Sequence, residues 1–217
     1  MPDGLLPDGL AAGTPEAEAE PEAEREPRRN SSDKAVAVKV ADGMEDLMQA
    51  FVVRAVVFVG EQSCAYAEEY DGNDMTCTHI VATVDGEPAG TMRLRYFGSF
   101  AKTERIAVRR EYRSLGVAHE MMLFTIAFCR RKGFARLYGH AQERLVPLWG
   151  RYGFKRCGDN FQFSDHSYVP IVCELEPDPD ALGIESDDLV LIRPESVWDQ
   201  PGILDRSASR AATNPGA

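Results

Sequence analysis

Residues 103–134 read TERIAVRREYRSLGVAHEMMLFTIAFCRRKGF, and the order of the remaining elements follows from them. Residues 104–108 alternate charged or small side chains with branched apolar ones, the period of a strand. From Gly116 the apolar positions 117, 121, 124 and 128 repeat at the spacing of one helical face. Arg130, Arg131 and Lys132 suit the negative end of that helix, and Gly133 can turn left-handed after it. Between strand and helix lie Arg109, Arg110, Arg113, Ser114, Leu115, Gly116, Val117 and Ala118. Free backbone N–H groups and the positive end of the helix dipole would face an anion there, beside several guanidinium groups. The other reading of the same residues is a capped surface helix behind a solvated basic turn.

Several features now resemble one family. Arg113-x-x-Gly116-x-Ala118 is similar to the Arg/Gln-x-x-Gly-x-Gly/Ala signature of GNAT acetyltransferases, after a strand of the type Glu-Arg-Ile-Ala-Val. Ala141-Gln142 and the later Leu148-Trp149-Gly150-Arg151-Tyr152-Gly153-Phe154 resemble that family's next strand and helix. The similarity spans roughly residues 35–175. It implies an α/β (α+β) fold with a mostly antiparallel, twisted sheet of about six to seven strands flanked by helices. It further implies acetyl-CoA as co-substrate, no metal, and N-acetyl transfer to a primary amine of a small molecule or peptide.

By the same resemblance, Ile106, Ala107 and Val108 would bind the pantetheine and thioester, and residues 113–118 the pyrophosphate. Glu104 is then the candidate base, and its alternative is a plain ion pair with a neighbouring arginine. Trp149 stands where the family often carries a tyrosine acid, and an indole N–H is a poor proton donor. Tyr152, one turn on, is the substitute acid. The region that would wall the acceptor site supplies Arg54, Phe58, Glu61, Asp71, Asp74 and Arg93 as substrate-binding candidates.

Arg54, Phe58, Asp71, Asp74, Arg93-Leu94 and Glu104-Arg105 also resemble acyl-homoserine-lactone and N-acyl amino acid synthases, which share the fold and take acyl groups from an acyl carrier protein. A third reading is a non-catalytic sensor of acyl-CoA.

Composition sets the outer limits. With 217 residues, 44% of them hydrophobic, the chain can hold one domain and its tails. Its net charge of −11 is uneven: residues 102–156 hold 13 basic and four acidic residues, whereas 34–101 hold five basic and ten acidic. The positive half suits a polyanion such as coenzyme A, and the negative half would draw an amine. Acidic tails disfavour nucleic acid. Five cysteines, at 64, 77, 129, 157 and 173, form no Cys-x-x-Cys pair, so buried thiols are expected rather than disulfides or zinc. No run reaches the length of a membrane span, and a cytoplasmic protein is expected.

Along the chain, residues 1–33 are a Pro/Ala/Glu-rich acidic tail expected to be disordered. Residues 34–176 form the acyltransferase domain: a strand at 35–40, then a helix from Met44 capped by Asp42. The Asp85-Gly86 turn joins strands at 77–84 and 88–97. Further strands are expected at 134–140, 154–157 and 166–175, and a short helix at 145–152. His79, inside an apolar strand, reads as structural. Asp71-Gly72-Asn73-Asp74 is not a calcium loop, since Thr76 stands where that loop needs glycine. Residues 177–205, with Trp198, Ile203 and Leu204, form an arm that packs on the domain or on a partner subunit as a homodimer. Residues 206–217 are expected to be a disordered tail.

Overall fold

In a computed structural model of the chain, residues 35–163 and 166–211 are described. The tail expected at 1–33, and residues 212–217 of the second tail, lie outside them.

The elements run β1 (Val36–Val40), α1 (Met44–Arg54), a π-helical continuation (Ala55–Glu61), α2 (Tyr66–Glu69), β2 (Thr78–Val84), β3 (Glu87–Phe97), β4 (Phe100–Val108), α3 (Val117–Arg131), β5 (Arg136–Gln142), α4 (Val146–Gly150), β6 (Lys155–Arg156), β7 (Phe161–Phe163), β8 (His166–Glu174), α5 (Asp188–Ile192) and α6 (Ile203–Ala208). The sheet order is β1-β2-β3-β4-β5-β8-β6, with β7 on β8, so eight strands form one sheet. All neighbours are antiparallel except β4 and β5. The mixed, mostly antiparallel fold read from the sequence is therefore present, with one very short strand more than expected. No helix among the described residues is long and apolar enough to cross a membrane.

Two irregularities shape the middle of the sheet. Thr91 pairs with Ala107 and Arg93 with Glu104, so Met92 faces two residues of β4, Arg105 and Ile106. This bulge puts Arg105 at φ 51°, a left-handed conformation that a long side chain rarely takes. Second, β4 and β5 pair only at Ala101–Leu137, Lys102–Tyr138 and Thr103–Gly139. Beyond Thr103 the β5-facing edge of β4 has no strand partner.

The two faces of the sheet are covered differently. α3 packs with Val117, Met121, Met122, Phe128 and Cys129 against Met92, Leu94, Ala101, Leu137 and Ile171, all buried. The expected positions 117, 121 and 128 face this core, and Phe124 lies at its margin. The helix comes close enough to β3 that a Cβ on Gly90 would meet Val117 Cγ1 at 2.8 Å. On the opposite face α1, its π continuation and α2 cover charged side chains.

Several local expectations are corrected. α1 has no side-chain cap, because its cap position falls on Gly43 and not on Asp42; the Asp46 carboxylate turns back to accept the Asp42 N–H, at 3.1 Å. The hairpin turn does sit at Asp85 and Gly86, φ 52° and 87°. Only Cys129 and Cys173 of the free thiols are buried, and Cys157 is exposed on an edge. α6 runs through residue 206, where the sequence reading starts a tail. The arm lies on its own domain. Trp198 stacks on Phe128 with centroids 4.9 Å apart, Leu182 N–H donates to Arg131 O at 2.7 Å, and Lys132 pairs with Glu195. The Lys132 ammonium sits over the Tyr96, Phe128 and Trp198 rings at 4.6 to 5.8 Å.

Candidate active site

Two features meet at the open edge of β4. The first is the turn before α3. Gly116 takes φ 77° and is followed by a 15-residue helix with no side-chain cap at its N-terminus. The first N–H groups of such a helix lack intrahelical acceptors. Gly116 and Ala118 are exposed, and a Cβ on Gly116 would have nothing within 4 Å. The capped-helix reading lacks its cap. Arg113 is less free than the sequence suggests: Nε donates to Val108 O at 3.0 Å, and Nη2 to Glu61 Oε2 at 2.6 Å. Glu61, expected among the acceptor-binding residues, lies against this turn, with Arg110 3.7 Å away. Those arginines hold its carboxyl below the ordinary range.

The second feature is a cavity of about 620 Å³ beside the divergence of β4 and β5. Its wall includes Phe58, Asp71, Glu104, His140, Gln142 and Trp149. Behind the wall lies a network of ion pairs. Arg93, 1% exposed, directs five donor contacts to three carboxylates: Asp71 at 2.7 and 2.8 Å, Asp74 at 2.9 Å, and Glu104 at 2.6 and 3.1 Å. Arg54, fully buried, binds the Glu69 carboxylate and its carbonyl, and Asp74 at 2.6 Å. Its guanidinium lies over both the Phe51 and Tyr70 rings, 5.4 and 5.2 Å from their centroids. Arg105, on the bulge, reaches Glu69 at 3.0 Å and Asp71 at 3.3 Å.

The acids named in the sequence are therefore bound to guanidinium groups and do not form an open negative surface for an amine. Burial would raise the carboxyls of Asp71, Asp74 and Glu104. The arginine partners, with Lys102 for Glu104, outweigh it and hold all three below the usual range. Glu104 also has Lys102 at 2.7 Å and Arg95 at 3.6 Å. A carboxylate held in this way is a weak base, and the ion-pair alternative is the one its geometry fits.

The remaining candidates separate. Ile106 lines the cavity, while Ala107 and Val108 are buried in the strand beside it. Trp149 lines the cavity, and its buried Nε1 has no hydrogen-bond partner among the described residues. The same holds for Gln142 Oε1. Tyr152 does not line that cavity; its hydroxyl meets His119 Nδ1 at 3.1 Å beside α3. His79 is buried, with Nε2 3.2 Å from Cys77 Sγ and 3.1 Å from Asp74 O. Asp74, Cys77 and His79 bring ligand atoms within 4.8 Å of one another, a cluster the sequence reading overlooked. Asp74 is already shared by Arg54 and Arg93, and burial pushes the Cys77 thiol up to about 11, so this cluster is poorly disposed to a cation.

The model of the acetyltransferase (GNAT) domain matches residues 50–175, more than half of the chain. The chain belongs to the GNAT family. A Bacillus subtilis protein assigned as an acetyltransferase is 29% identical over 148 residues, 67% of this chain and 99% of that protein. The crystal structure of an N-acetyltransferase from Lactobacillus plantarum superimposes with a TM-score of 0.63 at 19% identity, over 65% of this chain and 99% of the other. FeeM, an N-acyl amino acid synthase from uncultured soil microbes, gives 0.58 at 9% identity, over 65% and 92%. These structural likenesses bear on the fold. The GNAT assignment makes the chain an acyltransferase.

Proposed function

We propose that this acyltransferase moves an acetyl group from acetyl-CoA to the primary amine of a small molecule or peptide. The uncapped start of α3, led by left-handed Gly116 beside the unpaired edge of β4, carries the reading. A pyrophosphate would accept from the N–H groups of residues 114 and 116–118, since Leu115 N–H donates to Tyr112 O at 3.1 Å, and come close to the backbone where Gly116 and Ala118 are small. Glu61 compensates part of the arginine charge at this turn, so the backbone is the principal phosphate ligand. The pantetheine amides would lie along the open edge of β4. Trp149 Nε1 and Gln142 Oε1, an unpaired donor and an unpaired acceptor in the cavity wall, would complement polar groups brought by donor or acceptor.

A calorimetric titration with acetyl-CoA tests this. Valine at Gly116 would be strained at φ 77° whatever it did to the ligand, so Ala118→Leu is the cleaner variant. It should fold normally and bind acetyl-CoA at least about tenfold more weakly, the loss of roughly 1.4 kcal/mol. Unchanged affinity in a folded Ala118→Leu protein would remove the turn from the donor site.

One observation favours a second reading. Arg54, Asp71, Asp74, Arg93 and Glu104, which carry the resemblance to N-acyl amino acid synthases, meet in a single hydrogen-bonded network. Under this reading the donor is a longer acyl chain on an acyl carrier protein. Mass spectrometry of co-purified ligand separates the two: a long-chain acyl group favours the carrier protein, and acetyl-CoA or CoA favours the first reading.

A further inference from the structure

An amine acceptor arrives mostly as its ammonium, so a proton must leave before nitrogen can attack. Glu104 is a weak base for this, since Arg93 and Lys102 hold its carboxylate. Asp71 is held by Arg93 and Arg105. The cavity wall contains one imidazole, His140, on β5. Cross-strand partners share a face, and the register lines up Arg95, Lys102 and Tyr138. His140, two residues after Tyr138, shares that face with Glu104 and stands just past Gly139, the last residue of β5 paired to β4.

The ring is held in place. Phe161 packs edge-on at 4.9 Å, and the Tyr138 hydroxyl lies 3.0 Å from Nε2. Burial keeps Tyr138 a neutral phenol, whose oxygen can accept from Nε2–H. That tautomer leaves the lone pair on Nδ1, for which no partner is present among the described residues. Among the described residues the ring meets Tyr138 on its own strand, and the charges that act on it are Lys102 and Glu104 across on β4; Arg95, Arg144 and Tyr168 stand elsewhere in the cavity wall. His140 is exposed to the cavity, and the partial desolvation of its ring lowers the imidazole pKa below its ordinary 6.5; Lys102 adds to the effect and Glu104 opposes it. The imidazole is then neutral at pH 7 and able to take a proton.

We propose that His140 is the general base of the transfer, with Tyr138 as its positioning residue; this rests on the amine-acceptor reading above. The acceptor's ammonium gives one proton to Nδ1, and the freed electron pair forms the C–N bond at the thioester carbonyl. As the C–S bond breaks, sulfur keeps the bonding pair and takes the second proton lost by nitrogen. The imidazolium returns its proton to water.

The test is the pH dependence of kcat/KM for acetyl-CoA with phenethylamine, a primary amine that suits the aromatic wall, in the parent, His140→Gln and Tyr138→Phe. The parent should lose rate as pH falls through a value below 6.5. His140→Gln should be slower near neutrality by about 10²- to 10⁴-fold, without that limb, and the gap should close at high pH as free amine accumulates. Tyr138→Phe should keep the limb at a reduced rate. Added imidazole should restore part of the activity of His140→Ala, and acetyl-CoA affinity should be the same in all variants. Identical profiles in parent and His140→Gln would overturn the base role. So would a uniform loss without imidazole rescue, or a loss of donor affinity in the variant. If the parent binds acetyl-CoA but transfers nothing to phenethylamine, the amine reading fails and His140's role with it.

Discussion

The sheet presents two buried faces that differ in kind. Under α3 the contacts are apolar, from Met92, Leu94, Ala101, Leu137 and Ile171. Under α1 and α2 the buried side chains include Arg54, Arg93 and Glu69, tied to Asp71, Asp74 and Glu104. An apolar face tolerates loss of a neighbour in proportion to the void left. A paired charge does not, because removing one partner leaves the others ionised and without water. The candidate cavity borders the charged face, where position is set by donor geometry instead of shape.

The largest effect should come from Arg93→Met, which keeps the volume and leaves three carboxylates without their shared guanidinium. A loss of about 3–5 kcal/mol in urea unfolding at pH 7 is expected. Leu94→Ala, its neighbour facing α3, should cost about 2–5 kcal/mol. Acid separates the two more sharply than size does. Asp71, Asp74 and Glu104 are held below their unfolded pKa values, so their stabilisation is full above those values and is lost as pH falls through the depressed ones. The cost of Arg93→Met should therefore shrink below about pH 4, where carboxylates begin to protonate, while that of Leu94→Ala should stay constant. Parallel pH dependence in the two variants would contradict the contrast between the faces. The smallest effect belongs to Arg136→Met. That residue pairs with Glu174 at 3.0 Å, but both side chains are more than half exposed, and a change within about 1 kcal/mol is expected.

What the sequence discloses follows the same division. Local patterns were readable: the strand at 104–108, the helix from Gly116 with left-handed Gly133 after it, and the Asp85-Gly86 hairpin, depend on neighbours within a turn or two. The arginine network was legible only as a set of scattered candidates, because Arg54 meets Glu69 and Asp74 across a π-helical segment that no regular period announces. The bulge that turns Arg105 toward Glu69 carries no glycine to mark it. His140 passed unnoticed as the end of a strand, since its significance arises from where β4 and β5 part. Trp149 was singled out by its departure from the family pattern, and its unpaired indole N–H could be known only from its surroundings.

The clasp between Lys132 and the arm bears on where this molecule can be cut. The family match stops at residue 175, which invites a shortened version ending there. Such a version would bare Phe128, now stacked under Trp198, and would strip Glu195 from the Lys132 ammonium. A fragment trimmed to the recognisable homology is thus a stickier protein than the longer chain, with its new adhesive patch at the end of α3 remote from Gly116. The boundary of kinship and the boundary of folding fall at different residues.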